Sequence, residues 1–344
     1  MNNTTKAVLL AAVMLASCVV VTASASVDAE DAGTPVASVG GIEYTEMAMA
    51  FEAAFDIDDS DPVTIELLRN YTGPGIKVPS GSDIIFDFNG YTYVNEGGVG
   101  SSNTETNGFQ LLRDSTIVFR DGTLTATDSA NCRILIQNYS NLTLDNMVLN
   151  SSATSDYLVS NNNGSLTLDN GTVLNAKDGS YAFDIYYWPD GGYSGGITVR
   201  VLDAVINGDI QYGTDGSSAS SDYFDKTVME FRGGTLNGSI RLNQTTFDGA
   251  ANITITGGTF SDDVSEYVAD GYKFVDGTVV DEDYIEDDVP PVNWGDDDDE
   301  YIPPIYIPEQ TGNGDDDTAT IVACAAAAVV AALIAAYLII DRRQ

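Results

Sequence analysis

Seven short segments between residues 86 and 260 follow one pattern. In most of them two apolar residues alternate with other residues, a Gly, Asp or Asn comes next, and a second apolar stretch follows. The alternation is typical of a β-strand that buries one face. The segments cover residues 86–90, 117–124, 142–149, 166–173, 199–206, 229–236 and 253–260.

The residue after each first strand is of a type that tolerates a positive φ. These corner residues are Gly90, Asp121, Asn146, Asn170, Asp203, Gly233 and Gly257. A strand, one left-handed residue and a second strand bend the chain without reversing it. The positions just before the corners are 31, 25, 24, 33, 30 and 24 residues apart. A strand-rich repeat of this length predicts an all-β fold, a right-handed parallel β-helix over residues 63–277.

Both ends of such a solenoid need a cover, since an open end exposes apolar rungs and unpaired strand edges. Residues 26–62 are the predicted N-terminal cap. Within them Thr45 is expected to cap a helix whose apolar face carries Met47, Ala50, Phe51, Ala54 and Phe55. A short exit helix is expected over residues 261–269, and a strand of the last coil over residues 273–275.

The first 25 residues fit an export signal. Lys6 supplies the positive start, residues 7–21 are apolar, and Ala23-Ser24-Ala25 forms a small-residue cleavage site. Residues 1–25 are therefore predicted to be a cleaved signal peptide, which places the rest of the chain outside the cytoplasm.

The C-terminal part changes in composition. Residues 281–317 hold 15 acidic residues, five prolines and no basic residue, so residues 278–317 are predicted to be a disordered acidic stalk. Residues 319–340 carry no charge and are long enough to cross a bilayer. With Arg342 and Arg343 after it, residues 318–340 are the predicted transmembrane helix and residues 341–344 a cytoplasmic tail. The expected location is a single-pass position in the cell membrane with an extracellular ectodomain.

Net charge and residue types exclude several kinds of chemistry. The formal net charge is −38, and such a field repels nucleic acid and anionic polymers. The chain has no histidine, so no His-dependent base, triad or zinc site is possible. Only Cys132 lies outside the predicted signal and membrane segments, which leaves no intrachain disulfide. Its parity with Ile134 and Ile136 predicts a core position. No cofactor is predicted.

Several stretches together resemble one protein family. They are residues 41–55, residues 79–93 with Asp87-Phe88-Asn89-Gly90, residues 257–260 leading into residues 267–272, and the Asp-rich tail before Ile321-Val322-Ala323-Cys324. The chain is similar here to the adhesin-like surface proteins of gut methanogenic archaea, which have pectin-lyase-like right-handed parallel β-helices. The resemblance implies this fold and a surface location, and it implies no activity.

Enzymes that share this fold leave a carbohydrate-active alternative open. Polysaccharide lyases of this class use a calcium-bridged carboxylate cluster with a nearby arginine as the base, and a glycosidase needs paired carboxylates. The available residues are Arg113, Arg120, Arg133, Arg200, Arg232 and Arg241 with Asp114, Asp121, Asp145 and Asp169. Three of these aspartates sit at or beside corners, where Asp serves as a turn residue. No catalytic residue is therefore assigned.

Two other kinds of site have candidates. Asp56, Asp58, Asp59 and Asp61 could bind calcium weakly, but they lack the spacing of an EF-hand loop, so no metal site is predicted. Asn-x-Ser/Thr sequences make glycosylation candidates of Asn70, Asn138, Asn141, Asn150, Asn163, Asn237, Asn243 and Asn252. Asn170 has the same motif at a corner.

Aromatic residues cluster where two neighbouring coils are longer than the rest. Gly- and Ser-rich loops with Tyr and Trp make adaptable ligand contacts, although the rings could also simply cover an irregular coil. The ligand-binding candidates are Tyr186, Tyr187, Trp188, Tyr193, Tyr212 and Tyr223.

The expected function is that of a non-enzymatic surface protein for adhesion, recognition or envelope coverage. The predicted partner is a glycan or a protein of a host or neighbouring surface, not a nucleic acid, with the membrane contacted through the C-terminal helix. A carbohydrate-active enzyme and a purely structural coat element remain the alternatives.

Overall fold

The computed structural model describes residues 33–57, 61–101, 104–186, 197–213, 227–243 and 251–283. All of them belong to the unit Met1–Ile285. The predicted signal peptide, most of the stalk, and the predicted membrane helix and tail lie outside these residues. Among the described residues, no helix has the length and apolar character needed to cross a membrane.

The N-terminal cap consists of a short hairpin and one helix. Strands β1 (Ala37–Val39) and β2 (Ile42–Tyr44) pair antiparallel, and helix α1 (Met47–Phe55) follows. The helix buries Met47, Ala50, Phe51 and Ala54, as its apolar spacing predicts, and the Phe51 ring lies 5.3 Å from that of Phe86. The predicted Thr45 cap is wrong. Glu46 precedes the helix without a capping hydrogen bond, and its carboxylate accepts one from Tyr71 instead.

The first sheet holds the repeating segments recognised in the sequence. Most coils contribute two short strands to it, or one long strand that bends at the corner. Its strands after the cap are β3 (Val63–Leu67), β4 (Tyr71–Gly73), β6 (Asp83–Asp87), β7 (Thr92–Asn95), β10 (Thr116–Ala126), β12 (Asn141–Asn150), β14 (Ser165–Asp169), β15 (Thr172–Asn175), β17 (Ile197–Val201), β18 (Ala204–Asn207), β20 (Thr227–Phe231), β21 (Thr235–Asn237), β23 (Ile253–Ile255) and β24 (Gly258–Phe260).

The second sheet runs along the other side of the core. Its strands are β5 (Ile76–Val78), β8 (Val99–Ser101), β9 (Thr104–Leu111), β11 (Ile134–Asn138), β13 (Tyr157–Asn162), β16 (Tyr181–Tyr186), β19 (Asp209–Gly213) and β22 (Ile240–Asn243). All pair in parallel except β8, which forms an antiparallel hairpin with β9. Two sheets of parallel strands, visited in turn by each coil, make a right-handed parallel β-solenoid.

Parallel register stacks like positions into columns through the core. One such column is fully buried and runs from Ile65 at its N-terminal end to Ile255. It contains Ile65, Phe86, Phe119, Leu144, Leu168, Val201, Phe231 and Ile255. Burying each such side chain contributes about 1.5–3 kcal/mol, so the stack itself supplies the stability that disulfides supply elsewhere. Cys132 lies in the same core, as predicted, and burial raises the pKa of its thiol to about 12.

The register corrects the alignment of the first repeat. The pattern equates Phe88 with Phe119, but Phe86 is the residue paired with Phe119. Phe88 instead fills the corner, where a Cβ on Gly122 would lie 2.3 Å from its own Cβ. The first corner is thus longer than the next one.

The predicted positive φ at the corner residue is observed in the first four repeats only. Gly90, Asp121, Asn146 and Asn170 have positive φ, as expected. Asp203, Gly233 and Gly257 do not, so that part of the prediction is wrong. At Gly233 and Gly257 the small residue is needed for another reason, because a Cβ would lie 2.5 Å from a carbonyl oxygen of the preceding coil.

The C-terminal end is closed by an antiparallel hairpin. Strands β25 (Tyr272–Val275) and β26 (Thr278–Asp281) pair with each other, and β26 also pairs with β24. The predicted strand at residues 273–275 therefore belongs to this cap, and not to a parallel coil. The predicted exit helix is reduced to a 3-10 turn at Ser265–Tyr267, because Val268 must return to pair with Ile255.

Candidate functional site

A continuous column of polar side chains runs along the outer face of the second sheet. Each of its residues follows a core residue in its strand, so it lies on the opposite face. The parallel register places them side by side, one per strand. This polar column consists of Lys77, Gln110, Gln137, Ser160, Asp184, Gln211 and Arg241.

Three members of the polar column are buried although they lie on an outer face. Their exposed fractions are 2% for Gln110, 4% for Ser160 and 7% for Asp184. Gln137 and Gln211 are half-buried, and the end residues Lys77 and Arg241 are exposed. The middle of the column is therefore shielded from solvent, which makes this face unlike an ordinary solvated strand surface.

Asp184 is held as an acceptor in the middle of the column. The backbone N–H of Asn161 donates to its Oδ1 at 2.7 Å, and the Ser160 hydroxyl donates to its Oδ2 at 3.2 Å. These hydrogen bonds favour the ionised form, but burial outweighs them and raises the pKa of Asp184 to about 7. The Asp184 carboxyl group therefore changes its protonation state near neutral pH.

Two tyrosines lie beside Asp184 on the same face. The rings of Tyr157 and Tyr181, here called the tyrosine pair, stack at 5.4 Å with an interplanar angle of 17°. The Tyr157 hydroxyl donates to Oε1 of Gln211, which lies two coils further on, at 2.9 Å. Burial and the nearby Asp184 raise the pKa of Tyr157 to about 12. The phenol ring therefore reaches across the coil that carries Asp184.

A local irregularity explains how the tyrosine pair and the polar column both reach the outer face of the second sheet. In β11 two consecutive residues, Leu135 and Ile136, are fully buried, which breaks the alternation of the strand. The register between β16 and β19 also shifts between Tyr181 and Phe183. An extra residue of this kind turns positions three apart toward the same side. Tyr181 and Asp184 consequently share one face.

An amide cluster lies at the N-terminal end of the column. Oε1 of Gln137 accepts from Nδ2 of Asn107 at 2.7 Å and from Nε2 of Gln110 at 2.8 Å. Within the described part of the chain, Oε1 of Gln110 is buried and has no hydrogen-bond partner. Leaving a buried acceptor unpaired costs stability, and native structures contain few such groups.

One ion pair beside the polar column and one at its C-terminal end cancel charge locally. Arg133 contacts Asp156 at 2.5 Å, and Arg241 contacts Asp209. Together with the largely protonated form that Asp184 adopts below neutral pH, these pairs leave little net charge on the face. The rest of the protein is strongly acidic, so this face differs from its surroundings.

The predicted aromatic patch is only partly described. Tyr186 ends β16, is half-buried and pairs with Asn162, two residues beyond the polar column. Tyr212 lies in the core instead of on a loop, because it follows Gln211 on the inward side of β19 and is 2% exposed. Its hydroxyl donates to the Thr227 carbonyl and accepts from Asn252 N–H. Tyr187, Trp188, Tyr193 and Tyr223 lie outside the described residues.

The other predicted sites are dispersed. Asp58 and Asp59 lie outside the described residues, and no group of three or more potential metal ligands occurs among those that the structure describes. Arg120 pairs with Asp87, whereas Arg200 and Arg232 share Glu230, so these arginines serve the first sheet.

The glycosylation candidates fall into groups by exposure. Asn138 and Asn163 are buried, and Nδ2 of Asn138 already donates to Asn161 and to the Ser165 carbonyl. The side-chain environment of Asn243 lies outside the description. Of the remainder, Asn150 and Asn252 are half-buried, while Asn70, Asn141, Asn170 and Asn237 are exposed.

The sequence did contain a signal for the polar column. The strands Ile134–Asn138, Tyr157–Asn162 and Tyr181–Tyr186 each have a polar residue at the fourth position, within an otherwise buried stretch. The repeat pattern of the first sheet does not extend to these strands, so their common register was not evident. Ser160, Asp184, Tyr157 and Gln211 were missed for this reason.

Comparisons with protein-family models, curated proteins and solved structures find no match to this chain.

Proposed function

We propose that this chain is a non-enzymatic surface protein that recognises a glycan through the outer face of its second sheet. The tyrosine pair beside the half-buried polar column carries this proposal. Surface location rests on the signal and membrane segments expected from the sequence. Adhesion or recognition is the resulting biological role.

The chemistry of the face suits a sugar. Aromatic rings pack against the CH surfaces of a pyranose, and amide, hydroxyl and carboxyl groups meet its hydroxyls. The rings of Tyr157 and Tyr181 are half-buried, so their orientation is held before a ligand arrives. Such preorganisation lowers the entropic cost of binding.

The test is a binding screen of the full-length protein against a panel of soluble polysaccharides and surface proteins. The substitution Tyr181→Ala removes one ring of the pair and should weaken glycan binding at least tenfold. Thr167→Ala is the matched control, since Thr167 lies on the outer face of the first sheet in the same coil. It should leave binding unchanged.

Three outcomes would contradict the proposal. Release of unsaturated or reducing ends from a bound polysaccharide would show an enzyme. Binding only to a protein would identify a different class of partner. Unaltered glycan binding by Tyr181→Ala, with a melting temperature like that of the control, would place the site elsewhere.

A further inference from the structure

We infer that the ligand of this face is an uncharged linear polysaccharide whose chain runs along the solenoid axis, in contact with successive coils. The inference rests on the proposed function and adds the charge, shape and direction of the ligand.

The direction follows from the dimensions of the face. Across one strand the outer face offers few side chains, such as Tyr181, Asp184 and Tyr186 on β16. Along the axis, by contrast, the polar column continues over seven strands from Lys77 to Arg241. At a spacing of about 4.8 Å per strand this is roughly 29 Å. A long narrow surface of this kind fits an extended chain lying parallel to the axis.

The two ends of the column offer different contacts to such a chain. Near the N-terminal end, the half-buried Gln137 presents an amide group, and the neighbouring Gln110 is buried with an Oε1 that has no hydrogen-bond partner within the described residues. Further along, Gln211 and the tyrosine pair are half-buried and available. Because these groups belong to different coils, a single sugar cannot contact them all. Several units of one chain can.

The absence of charge follows from the pairing of the ionised groups. Arg133 neutralises Asp156, and Arg241 neutralises Asp209. The remaining groups between Gln110 and Gln211 are amides, hydroxyls and one buried carboxyl. Hydroxyls of a neutral sugar both donate and accept hydrogen bonds, which matches this mixture. A uronate chain would meet the field of a protein with a formal net charge of −38.

The first experiment compares neutral, uronate-containing and amino-sugar linear polysaccharides for binding to the full-length protein. It then measures oligosaccharides of increasing length from the neutral polysaccharide that binds best. Neutral chains should bind, and affinity should rise at least tenfold between the dimer and the hexamer.

The second experiment uses the isosteric substitutions Gln137→Glu and Gln211→Glu. Each keeps the oxygen that accepts the observed hydrogen bonds, from Asn107 and Gln110 or from Tyr157, so the fold should be retained. Each should weaken binding of the hexamer about fivefold or more. Thr254→Glu adds the same charge at an exposed position on the first sheet and is the control.

The results separate this inference from the proposed function. A preference for uronate or amino-sugar chains, or an affinity that does not change with length, would overturn the inference and leave glycan recognition intact. Loss of binding with only one of the two Glu substitutions would confine the ligand to one end of the column and overturn the axial arrangement. Failure of every polysaccharide to bind would overturn both.

Discussion

The two sheets share one core and one strand spacing, yet the side chains on their outer faces differ in how they are hydrogen-bonded. On the first sheet, the outward side chains form contacts that the stacking of coils explains. On the second sheet, several outward polar groups are buried, and Oε1 of Gln110 has no hydrogen-bond partner among the described residues. The contrast shows that repetition satisfies the outward side chains of the first sheet, whereas each polar group of the second sheet depends on its own partner.

The asparagine ladder of the first sheet shows its regularity. Nδ2 of Asn175 donates to Asn150, Nδ2 of Asn207 donates to Asn175, and Nδ2 of Asn237 donates to Asn207, at 2.7–2.8 Å. Every amide in the series occupies the same position of its coil, at the end of the corner strand. Equal spacing therefore lets identical side chains satisfy one another.

The second sheet has no such repetition in its polar column. Amide, hydroxyl, carboxyl and guanidinium groups follow one another, so each must find its own partner. Asp184 is the costliest member, since burial opposes its ionisation. A threonine in that position would avoid this penalty. Residues that reduce stability without a structural return are expected at functional sites.

The largest effect is expected from pH acting on Asp184. The folded state raises its pKa from 3.8 to about 7, so the folded state binds the proton more tightly than the unfolded state does. The stabilising contribution is complete below about pH 4 and is lost as pH rises through about 7, a change of at most about 4 kcal/mol. Asp184→Asn should remove this component, because an amide can keep the hydrogen bonds with Asn161 and Ser160.

The measurement is the difference in unfolding free energy between the wild type and Asp184→Asn across pH 4 to 8. This difference isolates Asp184 from the many other carboxylates. The unfolding free energy of the variant should increase relative to that of the wild type as pH rises. A constant difference would show that Asp184 is ionised normally and that the second sheet resembles the first.

The next effect concerns the corners of the first sheet. Gly234 has φ = 89°, and a Cβ there would lie 2.2 Å from the carbonyl oxygen of Ala204. Gly234→Ala should therefore cost about 3 kcal/mol or more in unfolding free energy. Gly171→Ala is the matched control, since Gly171 has φ = 74° but nothing within 4 Å. Gly171→Ala should cost about 1 kcal/mol. Urea denaturation measures the unfolding free energy of both variants. Equal costs would mean that close packing of coils does not constrain the corners.

A smaller effect is expected in the asparagine ladder. Asn175→Ala removes an internal rung with two amide hydrogen bonds, and should cost about 1.5 kcal/mol. Asn237→Ala removes an exposed end rung with one such bond, and should cost less than about 1 kcal/mol. Thermal unfolding monitored by circular dichroism checks the order of the two variants. A reversed order would show that the hydrogen bonds of the asparagine ladder do not stabilise the fold.

A further comparison concerns two tyrosine hydroxyls. Tyr157→Phe loses the bond to Gln211 on the outer face of the second sheet and should cost about 1 kcal/mol. Tyr212→Phe loses two bonds in the core and leaves the Thr227 carbonyl without its donor there, so it should cost about 2 kcal/mol. Denaturant midpoints of the two variants give the comparison. A larger loss for Tyr157→Phe would make the outer face part of the structural core.

Much of the fold could be predicted because its repeat is local. The alternation around Phe119, Leu144 and Leu168 indicates a buried strand in each coil, and Asp121, Asn146 and Asn170 mark the bends. Prediction failed where neighbouring coils set the geometry. Gly233 and Gly257 are glycine because a carbonyl of the previous coil lies close, which no local pattern shows.

The candidate site could be predicted to a much smaller extent. Aromatic richness pointed to the segment that begins at Tyr186, and that residue does lie beside the polar column. Tyr212 has the same local composition but faces the core, because its parity in β19 decides its side. The register shift between Tyr181 and Phe183 changes parity in β16, and such a shift is a property of two paired strands.

The sequence by itself determined the class of fold, the length of the coils, the need for end caps and the absence of histidine chemistry, since these follow from spacing and composition. Only the tertiary structure decided which side chains meet. It aligned Gln110, Gln137, Ser160, Asp184 and Gln211, which are 23 to 27 residues apart in the chain, into one column. The physical reason is that parallel pairing fixes register between coils, and register is a property of two strands that neither strand specifies alone.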